Sequence, residues 1–183
     1  MKSLTFVKFA AIAFITLPFV APGIEQTQVA IAQTVQRQQA QVQLNLGVAK
    51  KVLTKDAQGK PQTTWQTLKG NVVVQPGDTL RYTVIGENTS DRAVRNFTLT
   101  QPIPQQTTYV LSSATAPSNT KMTYSIDNGK TFVDNPTIQV KLPNGKVETR
   151  PAPAERYTHI RWKYTTAINA KSAVNATYQV RVR

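Results

Sequence analysis

From Val42 to the C terminus apolar and polar residues alternate with a period of two, and turn residues interrupt the alternation every few positions. Val42, Leu44, Leu46 and Val48 alternate with Gln43, Asn45, Gly47 and Ala49; Leu80, Tyr82 and Val84 alternate with Arg81 and Thr83. Phe97 and Leu99 alternate with Asn96, Thr98 and Thr100, and Ile160, Trp162 and Tyr164 with His159, Arg161 and Lys163. Val174, Ala176, Tyr178, Val180 and Val182 alternate with Asn175, Thr177, Gln179, Arg181 and Arg183. Successive side chains of a strand point to opposite faces, so the pattern predicts half-buried antiparallel strands, one face apolar and the other wet. Helical periodicity never persists beyond about two turns. The spacing predicts a single all-β, antiparallel β-sandwich over residues 42–183.

Two Asn-Gly pairs, Asn128-Gly129 and Asn144-Gly145, stand between short apolar runs. Both residues tolerate positive φ, which predicts two hairpins, one after Met122–Ile126 and one between Ile138–Leu142 and Lys146–Thr149. Pro76-Gly77-Asp78 predicts a turn that launches the strand from Leu80, and Tyr109 and Leu111 are expected in the core. Gln101-Pro-Ile-Pro104 and Pro151-Ala-Pro153 mark loops.

The first residues have a different grammar. Lys2 and Lys8 precede the apolar run Phe9–Val20, and small residues stand at Ala30-Ile31-Ala32. This predicts a secretory signal peptide over residues 1–32, then a flexible, Gln-rich polar N terminus over 33–41. The apolar run is about a dozen residues long where a membrane span needs roughly 20, so no membrane span is expected in the mature chain. The expected localisation is secreted, periplasmic or cell envelope.

An exported chain meets oxidising conditions, yet the sequence contains no cysteine. Its sheets must hold without disulfides, and thiolate chemistry and cysteine metal sites are excluded. His159 is the single histidine, so zinc sites built from several histidines are excluded too. A Ser-His-Asp relay would have to use it, and the alternation puts it on a wet face. The carboxylates fall mostly in or beside predicted turns, and Asp127-Asn128-Gly129 reads as a hairpin turn rather than a calcium loop. No catalytic residue, metal or cofactor is expected. An unrecognised hydrolase is the weakest of the functional readings.

The block Val74-Gln-Pro-Gly-Asp-Thr-Leu-Arg-Tyr-Thr-Val84 resembles the bacterial conserved-repeat module known as domain of unknown function 11. Further blocks follow in order: Glu87–Phe97, Gln101–Val110, Tyr124–Phe132, Ile160–Tyr164 and Tyr178–Val182. The resemblance covers residues 42–183. It departs from the family at Gln101, where an acidic residue is usual, and at Asn169-Ala170-Lys171-Ser172, where a Pro-Gly turn is usual. It implies an Ig-like sandwich from a surface or envelope protein, structural, adhesive or binding rather than catalytic.

The formal net charge is +13, and the excess falls on residues 33–75 and 140–183 while the middle is balanced. Arg161, Lys163, Arg181 and Arg183 occupy wet strand positions. If the first and last strands run side by side, these four with Lys50 and Lys51 form one basic face, suited to an anionic envelope polymer. A solvated sheet face is the competing reading, and another surface protein is the other partner considered. Nucleic acid is disfavoured, because aromatic residues are not interleaved with the basic ones. Trp65, among polar neighbours, is either a plug for the open end of the sandwich or a glycan-stacking platform. The second carries an alternative reading, a glycan-binding domain using Trp65 with Tyr109 or Tyr157. Asn88, Asn96 and Asn175 match the glycosylation acceptor pattern by chance.

Overall fold

The structure, a computed structural model, describes residues 42–70 and 72–183. The signal peptide and polar N terminus expected over 1–41 lie outside the described residues. Ten strands form where the alternation predicts them and in two places where it does not: β1 (Val42–Lys55), β2 (Pro61–Thr67), β3 (Thr79–Asn88), β4 (Thr98–Pro102), β5 (Thr107–Tyr109), β6 (Thr120–Ser125), β7 (Thr137–Lys141), β8 (Val147–Pro151), β9 (His159–Tyr164) and β10 (Ala173–Val182). One 3-10 turn, Ala154–Arg156, precedes β9. No helix among the described residues is long and apolar enough to cross a membrane.

Every strand pairing is antiparallel. One sheet has the order β2-β1-β3-β10-β5, a second β4-β9-β6, and β7 and β8 form a separate hairpin. The two larger sheets face each other as a sandwich. Leu80, Tyr82 and Val84 of β3, with Ala176, Tyr178 and Val180 of β10, supply one inner face; Leu99, Ile160, Trp162 and Tyr164 supply the other. Trp162 is 0 % exposed, as its neighbours Ile160 and Tyr164 predict. Its ring lies 6.0 Å from that of Tyr178, which stacks in turn on its cross-strand partner Tyr82 at 5.1 Å. At one side Tyr109 of the five-stranded sheet reaches Tyr124 of the other, 5.7 Å between centroids.

The two deviations from the expected strands have one cause. β1 runs on to Lys55 because β2 pairs with it from Ala49 through Lys55. β2 reads Pro-Gln-Thr-Thr-Trp-Gln-Thr, with no apolar face to betray it, since it is an edge strand held by backbone hydrogen bonds. Order in the five-stranded sheet also corrects the expected neighbourhood of the chain's ends. β3 stands between β1 and β10, so the first and last strands do not touch.

The turns follow local chemistry. Pro76 and Gly77 make the expected turn, Gly77 at φ 92° and Asp78 N–H donating to Gln75 O at 3.0 Å. The β7–β8 hairpin forms, but only Gly145 takes positive φ. Leu142 N–H donates to Lys146 O and Gly145 N–H to Leu142 O, a three-residue loop with glycine at the left-handed position. Asn128 and Gly129 both take positive φ, yet the chain after them pairs at a single bridge, Tyr124 with Val133. Leu111 is 48 % exposed rather than in the core. The chain turns through Val110–Ser113, with Ser112 at φ 60°, and carries that side chain outward.

Asn88, 0 % exposed, ties two loops together. Its Nδ2 donates to Arg92 O at 2.7 Å and Asn169 O at 2.9 Å, while Oδ1 accepts from Ser90. A side chain so enclosed is unavailable for glycosylation in the folded chain.

Emptying the Trp162 site should cost about 3–5 kcal/mol, so Trp162→Ala should unfold at clearly lower denaturant concentration than the parent. The tyrosines make a second prediction. Burial pushes the hydroxyls of Tyr82 and Tyr164 up to about 12, and those of Tyr109 and Tyr178 higher still. A raised pKa makes stability complete below the unfolded value near ~10 and lost as pH climbs from there toward the folded value. Alkaline titration should show the tyrosinate absorbance of these four residues rising together with loss of β structure above about pH 10, rather than before it.

Candidate functional site

The alternation that buries Leu80 and Tyr82 points the intervening residues outward, and register decides what they meet there. Lys50 is the partner of Leu80 and Gln66, so it lies on the inner side of β1. Its Nζ sits 2.7 Å from Asp78 Oδ2, and both groups are largely enclosed. Lys50 therefore belongs to the turn before β3 and leaves the expected basic face. Burial works against the Asp78 charge, but the Gln75 amide and the Lys50 ammonium outweigh it and hold the carboxyl below its usual range.

Lys51, one residue on, faces out and pairs with Trp65. The β1–β3 pairing ends one position earlier, at Lys50 with Leu80, and continuing its register brings Lys51 level with Thr79, the β3 partner of Arg181. Trp65, Lys51, Thr79, Arg181 and Thr108 thus form a row across all five strands, about 19 Å long at ~4.8 Å per strand. Arg81 stands in the next row, between Ala49 and Gln179. Its guanidinium carbon lies 4.4 Å from the Trp65 ring centroid, and its Nε is buried without a hydrogen-bond partner. Arg183 extends the basic end of the face, its Nε donating to Thr107 O and Thr108 Oγ1, each at 3.1 Å. The carboxylate at a strand position of this face, Glu87, stands at the opposite end of β3.

Arg161 and Lys163 are elsewhere. They lie on β9, in the three-stranded sheet, and point away from Ile160 and Trp162 on the opposite side of the sandwich. The expected single face of six basic residues is therefore corrected to two faces and one inward lysine. Arg81 and Lys121 belong to these faces and were not among the expected site residues. The alternation already marked Arg81 as outward; which outward residues share a face depended on sheet order.

The aromatic candidates also move. Trp65 lies on the outer face of an edge strand, so it plugs no opening, and Arg81 covers one side of its ring. Tyr109 is buried and its hydroxyl accepts the Ala114 N–H, while Tyr157 packs against both Tyr109 and Tyr124. Tyr109 offers no free stacking surface, and Tyr157 is partly buried.

Ser125, Asp127 and His159 do meet, at the end of β6 and β9, but their wiring is that of a turn. Ser125 Oγ donates to Asp127 Oδ1 at 2.7 Å and accepts the Gly129 N–H at 2.9 Å. His159 Nδ1 lies 3.2 Å from the Thr158 hydroxyl instead of addressing Ser125. Hydrogen bonds from the Thr131 hydroxyl and amide, and from Ser125, hold the Asp127 carboxyl well below the usual carboxylate range. Burial, then the Arg161 charge, keeps His159 below its ordinary pKa against the pull of Asp127. A nucleophile needs its base within hydrogen-bond reach, and here the serine proton goes to the carboxylate. Among the described residues no group of three or more His, Cys, Asp or Glu side chains is placed to hold a metal ion.

The Asp78 geometry carries its own test. Asp78→Asn should destabilise by about 1 kcal/mol at neutral pH. A lowered pKa places the stabilisation above the unfolded value near ~4 and removes it as pH falls below that. The gap between parent and variant in thermal unfolding should therefore close in acid.

Comparison of the chain with protein-family models, with curated proteins and with solved structures finds no match in any of the three.

Proposed function

We propose that the chain is an exported, non-catalytic module of the cell envelope or extracellular space that binds an anionic polysaccharide on the outer face of its five-stranded sheet. The observation that carries this reading is the convergence of Lys51, Arg81, Arg181 and Arg183 at one end of a flat face, with Glu87 at the other. A sheet face is extended and open rather than concave, which suits a linear polymer better than a small molecule. Resemblance to the envelope repeat module and the signal-like first 32 residues supply the setting. The turn-like wiring of Ser125 and His159 argues against hydrolysis.

The test is retention on immobilised polygalacturonate. The parent should be held at low salt and released as ionic strength approaches ~0.15 M, where exposed charges are screened beyond about 8 Å. Lys51→Glu with Arg181→Glu should elute markedly earlier. Equal elution of parent and variant would remove the role assigned to this face.

A further inference from the structure

We propose that the sandwich is bivalent: the outer face of the three-stranded sheet is a second site for the same acidic polysaccharide, so that one molecule bridges two polymer chains. This rests on the binding proposed for the first face and adds a site on its back. The second site is built from β6 and β9. Lys121 and Lys163 are direct cross-strand partners, and Arg161 follows Lys163 on the same outward side of β9. Like charges directly opposite each other destabilise a sheet unless a counter-charge joins them. Asp134 approaches Lys121 at 3.5 Å, but both groups are 60 % exposed, and a pair so open is worth little. Lys163 is exposed, with Thr98 on its other side.

Arg161 is held ready. Its guanidinium carbon lies 3.4 Å from the centroid of the Phe132 ring, and its Nε donates to Thr100 Oγ1 at 3.2 Å. Fixed in this way it can present its terminal nitrogens to a carboxylate with little further loss of side-chain freedom. The backbone positions that carry the three charges lie about 5 Å apart across strands and roughly 7 Å apart along β9. A polymer with one carboxylate on each sugar ring offers anions at intervals of that order. Among the described residues of the two faces each aromatic ring is paired with an arginine rather than set in a row of rings, and a row of rings is what successive bases stack on.

The two faces act separately. Packed sheets stand about 10 Å apart, and outward side chains add to this on both sides, so the charge layers are separated by more than a Debye length of ~8 Å at physiological ionic strength. A stiff chain lying on one face leaves the other open to a second chain.

The experiment uses octagalacturonate, polygalacturonate and duplex DNA with three variants: Lys51→Glu with Arg181→Glu, Lys121→Glu with Lys163→Glu, and all four together. Each substitution is exposed, and thermal unfolding identifies any variant that has lost its fold. Calorimetric titration should count two octamers per parent molecule, one for each paired variant and none for the fourfold variant. With polygalacturonate the parent should give a large rise in light scattering near charge equivalence, reversed by excess protein. Each paired variant should bind without that rise. One octamer per parent molecule, unchanged after Lys121→Glu with Lys163→Glu, would overturn bivalence and leave the first face standing. Scattering that survives loss of either face overturns bridging as well. No octamer bound by the parent would overturn both proposals, and cross-linking of DNA but not of polygalacturonate would overturn the ligand class.

Discussion

The packing of Trp162 from one sheet against Tyr178 and Tyr82 of the other is the contact on which the rest of the molecule depends. A chain with no cysteine cannot staple its sheets together, so the layer between them has to be filled by large side chains in register. Aromatic pairs contribute about 0.5–1.5 kcal/mol each beyond the surface they bury. Two such pairs cross this interface, Trp162 with Tyr178 and Tyr109 with Tyr124, and a third, Phe97 with Tyr164, lies within the three-stranded sheet. The polar ends of the tyrosines are placed as carefully as their rings. Tyr178 donates to Pro102 O and Tyr164 to Asn175 O, linking each inner face to backbone at the layer's border. The same residues that exclude water also fix how the two sheets sit on each other.

Where the aromatic layer ends, polar side chains take over. Asn88 binds the loop after β3 to the loop before β10, and next to it Lys171 holds a left-handed turn at φ 54°. A non-glycine residue there is uncommon. Its ammonium donates to Thr89 O at 2.7 Å and lies 3.1 Å from Asp91, contacts that a glycine would lack. The lysine at this turn is thus integrated into the local structure. At the other end Ser125, Asp127 and Thr131 organise a turn in the same way, drawing on residues that could be mistaken for catalytic machinery. Both clusters are satisfied within themselves. The cations that share a surface with one another are on the sheet faces, which is why the functional proposals rest there.

A sandwich with a well-filled interior presents two flat outer surfaces, and this chain places cations on both. Lys51, Arg81, Arg181 and Arg183 stand on one, Lys121, Arg161 and Lys163 on the other. Cations on outer strands also keep sheets from associating edge to edge. That general role accounts for scattered lysines. It does not account for Lys121 opposite Lys163, or for two arginines each laid over an aromatic ring.

Local sequence determined which way each side chain points. Alternation is a property of the extended backbone itself, so Leu80, Tyr82, Trp162 and Tyr178 could be assigned to the interior, and Arg161, Lys163, Arg181 and Arg183 to the exterior, without knowing any neighbour. Turn chemistry was legible for the same reason, since Pro76-Gly77 and the glycine of Asn144-Gly145 act within a few residues. β2 was not legible, because an edge strand of Gln and Thr shows no apolar face and exists through pairing with β1. Nor was the site. Whether two outward residues share a surface depends on which strands pair, and that is decided by contacts between segments far apart in the chain. By placing β3 between β1 and β10, and β9 in the other sheet, the tertiary structure brought Arg81 beside Lys51 and Arg181 and divided one expected basic face into two, while Lys50 points inward because it shares the parity of Leu44 and Val48.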